Sequence, residues 1–158
     1  MHLITVLALL LLQQAPALPD LSGSWKMVAE RSESPQQSTP VTEMTFVIEQ
    51  AADRVRLDMT SGADKTVSVI YPIVDKPEKQ GPPLVGDERR AYWDGNRLIA
   101  ERGGTISGQT VSSRQSLTLS ADRSELFVER LVIVQHGYTL KGTKNYATVK
   151  DVFTRAGS

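Results

Sequence analysis

The stretch Met44–Tyr71, MTFVIEQAADRVRLDMTSGADKTVSVIY, decides the fold. Three runs in it alternate apolar and polar side chains, the two-residue period that puts every second side chain on one face of a strand. Met44, Phe46 and Ile48 share a face of the first run, Val55, Leu57 and Met59 of the second, and Val67, Val69 and Tyr71 of the third. Ala51-Ala52-Asp53 and Ser61-Gly62-Ala63-Asp64 interrupt the pattern with turn residues. A β-meander with one buried face satisfies all three runs.

The same pattern extends in both directions. Leu21–Ala29 reads as a first strand, Asp87–Arg102 as a hairpin, Gln115–Leu119 and Glu125–Gln135 as strands joined at Ser120–Ser124, and Tyr146–Thr154 as the closing strand. Turn signals recur at a spacing of about 8–12 residues, the signature of a barrel or sandwich. No stretch carries a helical stripe. The reading is therefore all-β: an antiparallel up-and-down barrel of about 8–9 strands, with an open β-sandwich as the alternative.

Charge pairing fixes the hairpin register. With Gly95-Asn96 as the loop, Asp94 faces Arg97, Arg90 faces Glu101, Trp93 faces Leu98 and Ala91 faces Ala100. With Asp94-Gly95 as the loop, Glu88 would oppose Glu101. Opposite charges across a pair help and like charges hurt by roughly 0.2–1 kcal/mol, so the first register is chosen. Two segments are irregular: Ser32–Pro40 with two prolines, and Pro72–Gly86 with four. Gly103-Gly104 and Gly108 read as a bend or bulge at a barrel corner. The apolar run Leu131–Val134 reads as a possible edge for β-addition.

The amino terminus carries an address. Leu3–Leu12 is apolar apart from Thr5, too short to span a bilayer and right for the core of a secretory signal. Ala15-Pro16-Ala17 is an A-x-A-type processing site, so residues 1–17 are predicted to be removed before Leu18. A short interfacial anchor is the alternative. The remainder, 18–158, is one domain's worth of chain, with an exported location, periplasmic or extracellular. There is no cysteine, hence no disulfide and no thiolate for a metal or lipid anchor, and no stable membrane anchor is expected after processing. Eighteen basic residues balance eighteen acidic ones, which leaves no electrostatic footprint for nucleic acid. His136 is the only histidine beyond the leader, so no metal site, no cofactor and no catalytic residue is assigned.

Leu21-Ser22-Gly23-Ser24-Trp25-Lys26 resembles the opening of the calycins, the group of lipocalins, fatty-acid-binding proteins and avidins, whose first strand carries Gly-x-Trp. It is similar also to small bacterial secreted proteins that open on a Ser-Gly-x-Trp strand. The resemblance implies that Trp25 plugs one end of the barrel and packs near a basic residue of the last strand, a position that Arg155 occupies. A Thr-Asp-Tyr-like triplet is absent, Lys144-Asn145-Tyr146 being its nearest counterpart, and no helix pair follows strand one. The resemblance therefore implies a barrel without naming its ligand. In strict alternation, the Ser32–Pro40 loop lies at the mouth with turns 60–64, 94–96 and 120–124, and the 72–86 loop at the closed end.

Phe46, Ile48, Leu57, Met59, Val69, Tyr71 and Trp93 are the candidate ligand-lining residues. The leading expectation is an exported carrier of a small, mainly apolar molecule, with Ser32–Pro40 gating access. The second is a solid β-domain that binds an envelope protein. The third is a hydrolase using His136, with Ser112, Ser113 or Asp151 as a partner.

Overall fold

The computed structural model describes residues 17–157 apart from 63–64, 79–83, 85, 107 and 135–145. The leader and His136 therefore lie outside the described residues. Within them the alternating runs become nine strands: β1 (Gly23–Met27), β2 (Met44–Gln50), β3 (Arg54–Ser61), β4 (Lys65–Pro72), β5 (Arg89–Asp94), β6 (Arg97–Ile106), β7 (Gln109–Leu119), β8 (Glu125–Val134) and β9 (Tyr146–Arg155). Short 3₁₀ turns occupy Ala29–Arg31 and Ser34–Gln36.

The strands hydrogen-bond in the order β4-β3-β2-β1-β9-β8-β7-β6-β5, every adjacent pair antiparallel. First and last strands thus meet in the middle of the sheet, and its two ends, β4 and β5, come together to curl it into a nearly closed barrel. One parallel bridge, Ile73 to Ala91, joins those ends, and the Val74 N–H donates to the Ala91 carbonyl at 2.8 Å. This is a barrel and not an open sandwich.

Nine is odd, and an alternating ring of nine strands must contain one parallel neighbour pair. β4 and β5 are that pair, so the chain after Pro72 crosses from one rim to the other before β5 begins. That crossing corrects the rim assignment made from strict alternation. The 95–96 and 120–124 turns lie at the Trp25 end, here called the floor, while the β1–β2 and β3–β4 connections lie at the opposite rim, the mouth. Two further expectations change. Gly103 and Gly104 run inside β6 in unbroken register with Ser112 and Val111, without a bulge. Leu131–Val134 is no edge, because β8 is paired along this run with β7 on one side and with β9 through Ile133 on the other. The hairpin takes the charge-paired register, with Arg90 opposite Glu101 and Asp94 opposite Arg97.

The core occupies the floor half of the barrel. Trp25, Phe46, Leu98, Leu117, Leu126 and Phe153 are wholly buried, and the Phe46 and Phe153 rings meet edge to face at 5.1 Å. Each such aliphatic or aromatic side chain contributes about 1.5–3 kcal/mol by leaving water. The floor is sealed locally. The Trp25 indole N–H donates to the Leu21 carbonyl at 3.0 Å, and the Arg155 guanidinium lies over the Trp25 ring, 4.3 Å from its centroid. Gln50 holds the approach to β1 by accepting from the Leu21 N–H and donating to the Pro19 carbonyl.

Candidate functional site: the mouth half of the barrel

Strand alternation sends one residue in two into the barrel, and the inward residues change character along its axis. On the floor side they are packed solid. Phe46, Ile48, Leu57 and Tyr71 are at most 3% exposed. On the mouth side the inward residues Met59, Val67, Val132 and Val149 are only half-buried, while Met44 and Val111 at the same rim are buried. Polar side chains stand among them: Arg102 on β6, Ser113 and Gln115 on β7, and Arg130 on β8, all half-buried. The register aligns them, Arg102 opposite Ser113 and Gln115 opposite Arg130.

Arg130 is the centre of this half. Its Nη2 donates to Oδ2 of Asp151 at 2.5 Å and to Oγ of Ser34 at 2.5 Å, and its Nη1 lies 4.0 Å from the Met59 sulfur across the barrel. Asp151 also accepts from the Ser34 N–H at 2.9 Å and from the Ser34 hydroxyl at 2.6 Å. The carboxylate is fully buried and fully engaged. Arg130 Nε and Gln115 Oε1, neighbours across β7 and β8, are buried without a hydrogen-bond partner among the described residues.

The Ser32–Pro40 loop is pinned at its start rather than loose. The Ser32 hydroxyl donates to the Val28 carbonyl at 2.8 Å and accepts from the Val152 N–H at 3.0 Å. The Glu33 N–H donates to the Lys150 carbonyl at 2.9 Å, and the Glu33 carboxylate accepts from the Lys150 N–H at 2.9 Å. Serine is the residue that does this, small enough to enter the barrel wall with a donor and acceptor in one atom.

The seven candidate lining residues fall in three places. Phe46, Ile48, Leu57 and Tyr71 belong to the packed floor half; Met59 lies in the mouth half, with Val69 between the two; Trp93 packs against the core at the floor end. There Trp93 helps line a pocket of about 370 Å³ with Leu18, Asp20, Gln50 and Ile73, outside the sealed floor. Arg102, Gln115 and Arg130 were missed. The signal for Arg130 was phase: it falls in step with the inward Leu126 and Val128. Of the residues considered for a hydrolase, Asp151 is committed to Arg130 and Ser34, and Ser112 lies on the opposite face of β7 from Ser113.

No known family profile matches the sequence, and no curated protein matches it. Among solved structures the chain is similar to apo lipid binding protein 8 of Caenorhabditis elegans, at 16% identity and a TM-score of 0.52, over 85% of this chain and 94% of that one. It is similar also to a heat-soluble SAHS protein of Ramazzottius varieornatus, at 10% identity and a TM-score of 0.46, over 86% and 95% of the two chains. The zebrafish ileal bile acid-binding protein with cholic acid aligns at 10% identity and a TM-score of 0.44, over 85% and 98%. The first likeness is one of fold: an antiparallel, lipocalin-like β-barrel.

Proposed function

We propose that this protein is an exported carrier that holds a small, mainly apolar molecule in the mouth half of its barrel. The observation that supports the reading is the change from buried inward side chains in the floor half to the half-buried inward Met59, Val67, Val132 and Val149 in the mouth half. A barrel serving only as a solid scaffold gains by packing both halves alike. Met59, Val67, Val132 and Val149 supply the apolar wall. Gln115 Oε1 and Arg130 Nε are the polar groups left for a ligand's polar end. The C. elegans barrel is named for lipid binding; its likeness to this chain is one of fold, and the apolar chamber is argued from this chain's own residues.

Export rests on Leu3–Leu12 and Ala15-Pro16-Ala17. Both parts of the proposal are read in one experiment. The full chain is expressed in an export host, recovered without detergent and weighed by native mass spectrometry. The expected species begins at Leu18 and carries, or takes up, one equivalent of a neutral apolar probe such as dodecanol, lost on gentle activation. A protein that refuses every apolar probe overturns the carrier reading. A mass that retains residues 1–17 overturns the export reading.

A further inference from the structure

Arg89 and Arg102 stand directly opposite one another across β5 and β6. Among the described residues, five cross-strand pairs join two charged residues of opposite sign: Glu49 with Arg56, Arg90 with Glu101, Asp94 with Arg97, Glu101 with Arg114, and Glu129 with Lys150. Arg89 with Arg102 is the one like-charged pair. Such a juxtaposition is unfavourable unless something negative sits between the two groups. No carboxylate among the described residues does. The two guanidiniums make no ion pair or hydrogen bond there, although Asp87 lines the same pocket.

The location adds a third donor. The parallel bridge Ile73 to Ala91, followed two residues back along each strand, sets Tyr71 level with Arg89 across the β4–β5 seam. The Tyr71 hydroxyl has no hydrogen-bond partner among the described residues. Burial raises its pKa, while the positive charges of Arg102 and Arg89 pull against that rise, so the phenol stays a neutral donor at pH 7 within reach of both fields. Beside this row the seam opens into a pocket of about 220 Å³ lined by Ser68, Val69, Asp87, Arg89, Arg102 and Gly103.

We infer that Arg89, Arg102 and Tyr71 form an oxyanion site at the β4–β5 seam, suited to a phosphate-class group. Two planar guanidinium forks line one pocket, the Tyr71 phenol lies on the strand position level with Arg89, and a phosphoryl group offers at least three strong acceptor oxygens to meet such donors. The group could arrive as free inorganic phosphate or as the head of an amphiphile whose tail passes Val69 into the barrel. The site stands apart from the apolar-carrier proposal, since inorganic phosphate has no tail.

The test is an NMR titration of arginine Nε–Hε signals of the exported protein, in phosphate-free buffer at constant ionic strength. Inorganic phosphate is expected to move the Arg89 and Arg102 signals saturably and to leave those of Arg54 and Arg97 at the level of a chloride control. Arg102→Gln is expected to weaken binding at least tenfold while melting no lower than the parent in phosphate-free buffer, because a repulsion has been removed. If Arg102→Gln does not fold, Arg89→Gln at its exposed position is read in the same way. Small, non-saturating shifts spread over all arginines overturn the inference. Decyl phosphate then separates the sources: tenfold tighter binding with shifts at Val69 and Met59 identifies an amphiphile head, and equal affinity identifies the free anion. A protein that takes up no dodecanol yet binds phosphate saturably keeps this site and loses the carrier reading.

Discussion

Arg130 on β8 and Asp151 on β9 meet inside the barrel at 2.5 Å, with the Asp151 side chain wholly buried and Arg130 about one-fifth exposed. The pair does more than neutralise itself. Asp151 accepts the Ser34 N–H and hydroxyl as well, so one carboxylate ties β8, β9 and the chain leaving β1 into a single unit.

Removing one member should therefore cost more than removing both. Asp151→Leu leaves a largely buried guanidinium without its counter-charge and frees Ser34, a loss of about 3 kcal/mol or more. The double variant Arg130→Met/Asp151→Leu should recover most of that loss, because a buried ion pair replaced by apolar groups of like size is close to neutral. Urea unfolding of the three proteins checks this. Equal losses in the single and double variants would show that Asp151 acts through Ser34 alone.

Gly23 is required where it stands. Its φ of +131° is a conformation that side-chain-bearing residues rarely adopt, and a Cβ there would lie 2.7 Å from Arg155 Nη1. That same Arg155 nitrogen donates to the Ser22 carbonyl at 3.1 Å. Gly23→Ala should destabilise by about 1–3 kcal/mol, from backbone strain with displacement of the guanidinium from Trp25. The readouts are the melting temperature and the Trp25 indole N–H shift. An unchanged melting temperature would mean that β1 can re-enter the barrel by another path.

The strands and their faces were legible because alternation is a local property, and each of the runs between Met44 and Tyr71 spells out its own inward face. The hairpin register was legible because two charge pairs agreed on it; the same register sets Arg89 against Arg102. What could not be read was global. Whether alternation persists around a ring depends on the parity of the strand count, and the crossing after Pro72 breaks it. The polar groups of the mouth half were hidden for a different reason. Glu129-Arg130 looks like a solvated stretch unless the phase of Leu126 and Val128 is carried through it, and the partner that makes Arg130 tolerable inside lies on another strand. The lining set follows the most apolar faces, and four of its residues, Phe46, Ile48, Leu57 and Tyr71, pack into the buried floor half.

Acid should weaken the β7–β8 turn. Asp122 is held at a pKa of about 2, chiefly by the Ser120 hydroxyl, with the Ser124 N–H and hydroxyl adding to it. Its folded pKa lies below the unfolded one, so its contribution is complete above about pH 4 and fades as pH falls through the folded value. Carbon-detected titration of the Asp122 carboxyl should show that low midpoint, and Asp122→Asn should remove the associated loss of stability between about pH 4 and pH 2. A midpoint near the ordinary aspartate value would mean that the turn is open in solution.

Ile48 and Val132 separate the two halves of the barrel experimentally. Both face inward, but Ile48 is only 2% exposed in the packed half, while Val132 keeps water contact in the other. Ile48→Ala should cost about 2–5 kcal/mol of stability through the cavity it leaves, yet change the dodecanol affinity of the folded protein by no more than about twofold, since wall and probe do not touch. Val132→Trp should do the reverse, crowding the half-buried end at a cost of about 1–3 kcal/mol or less and lowering probe affinity at least about tenfold. Probe titrations run beside thermal melts resolve the two effects. A Val132→Trp protein that binds dodecanol as before would move the ligand away from the mouth half.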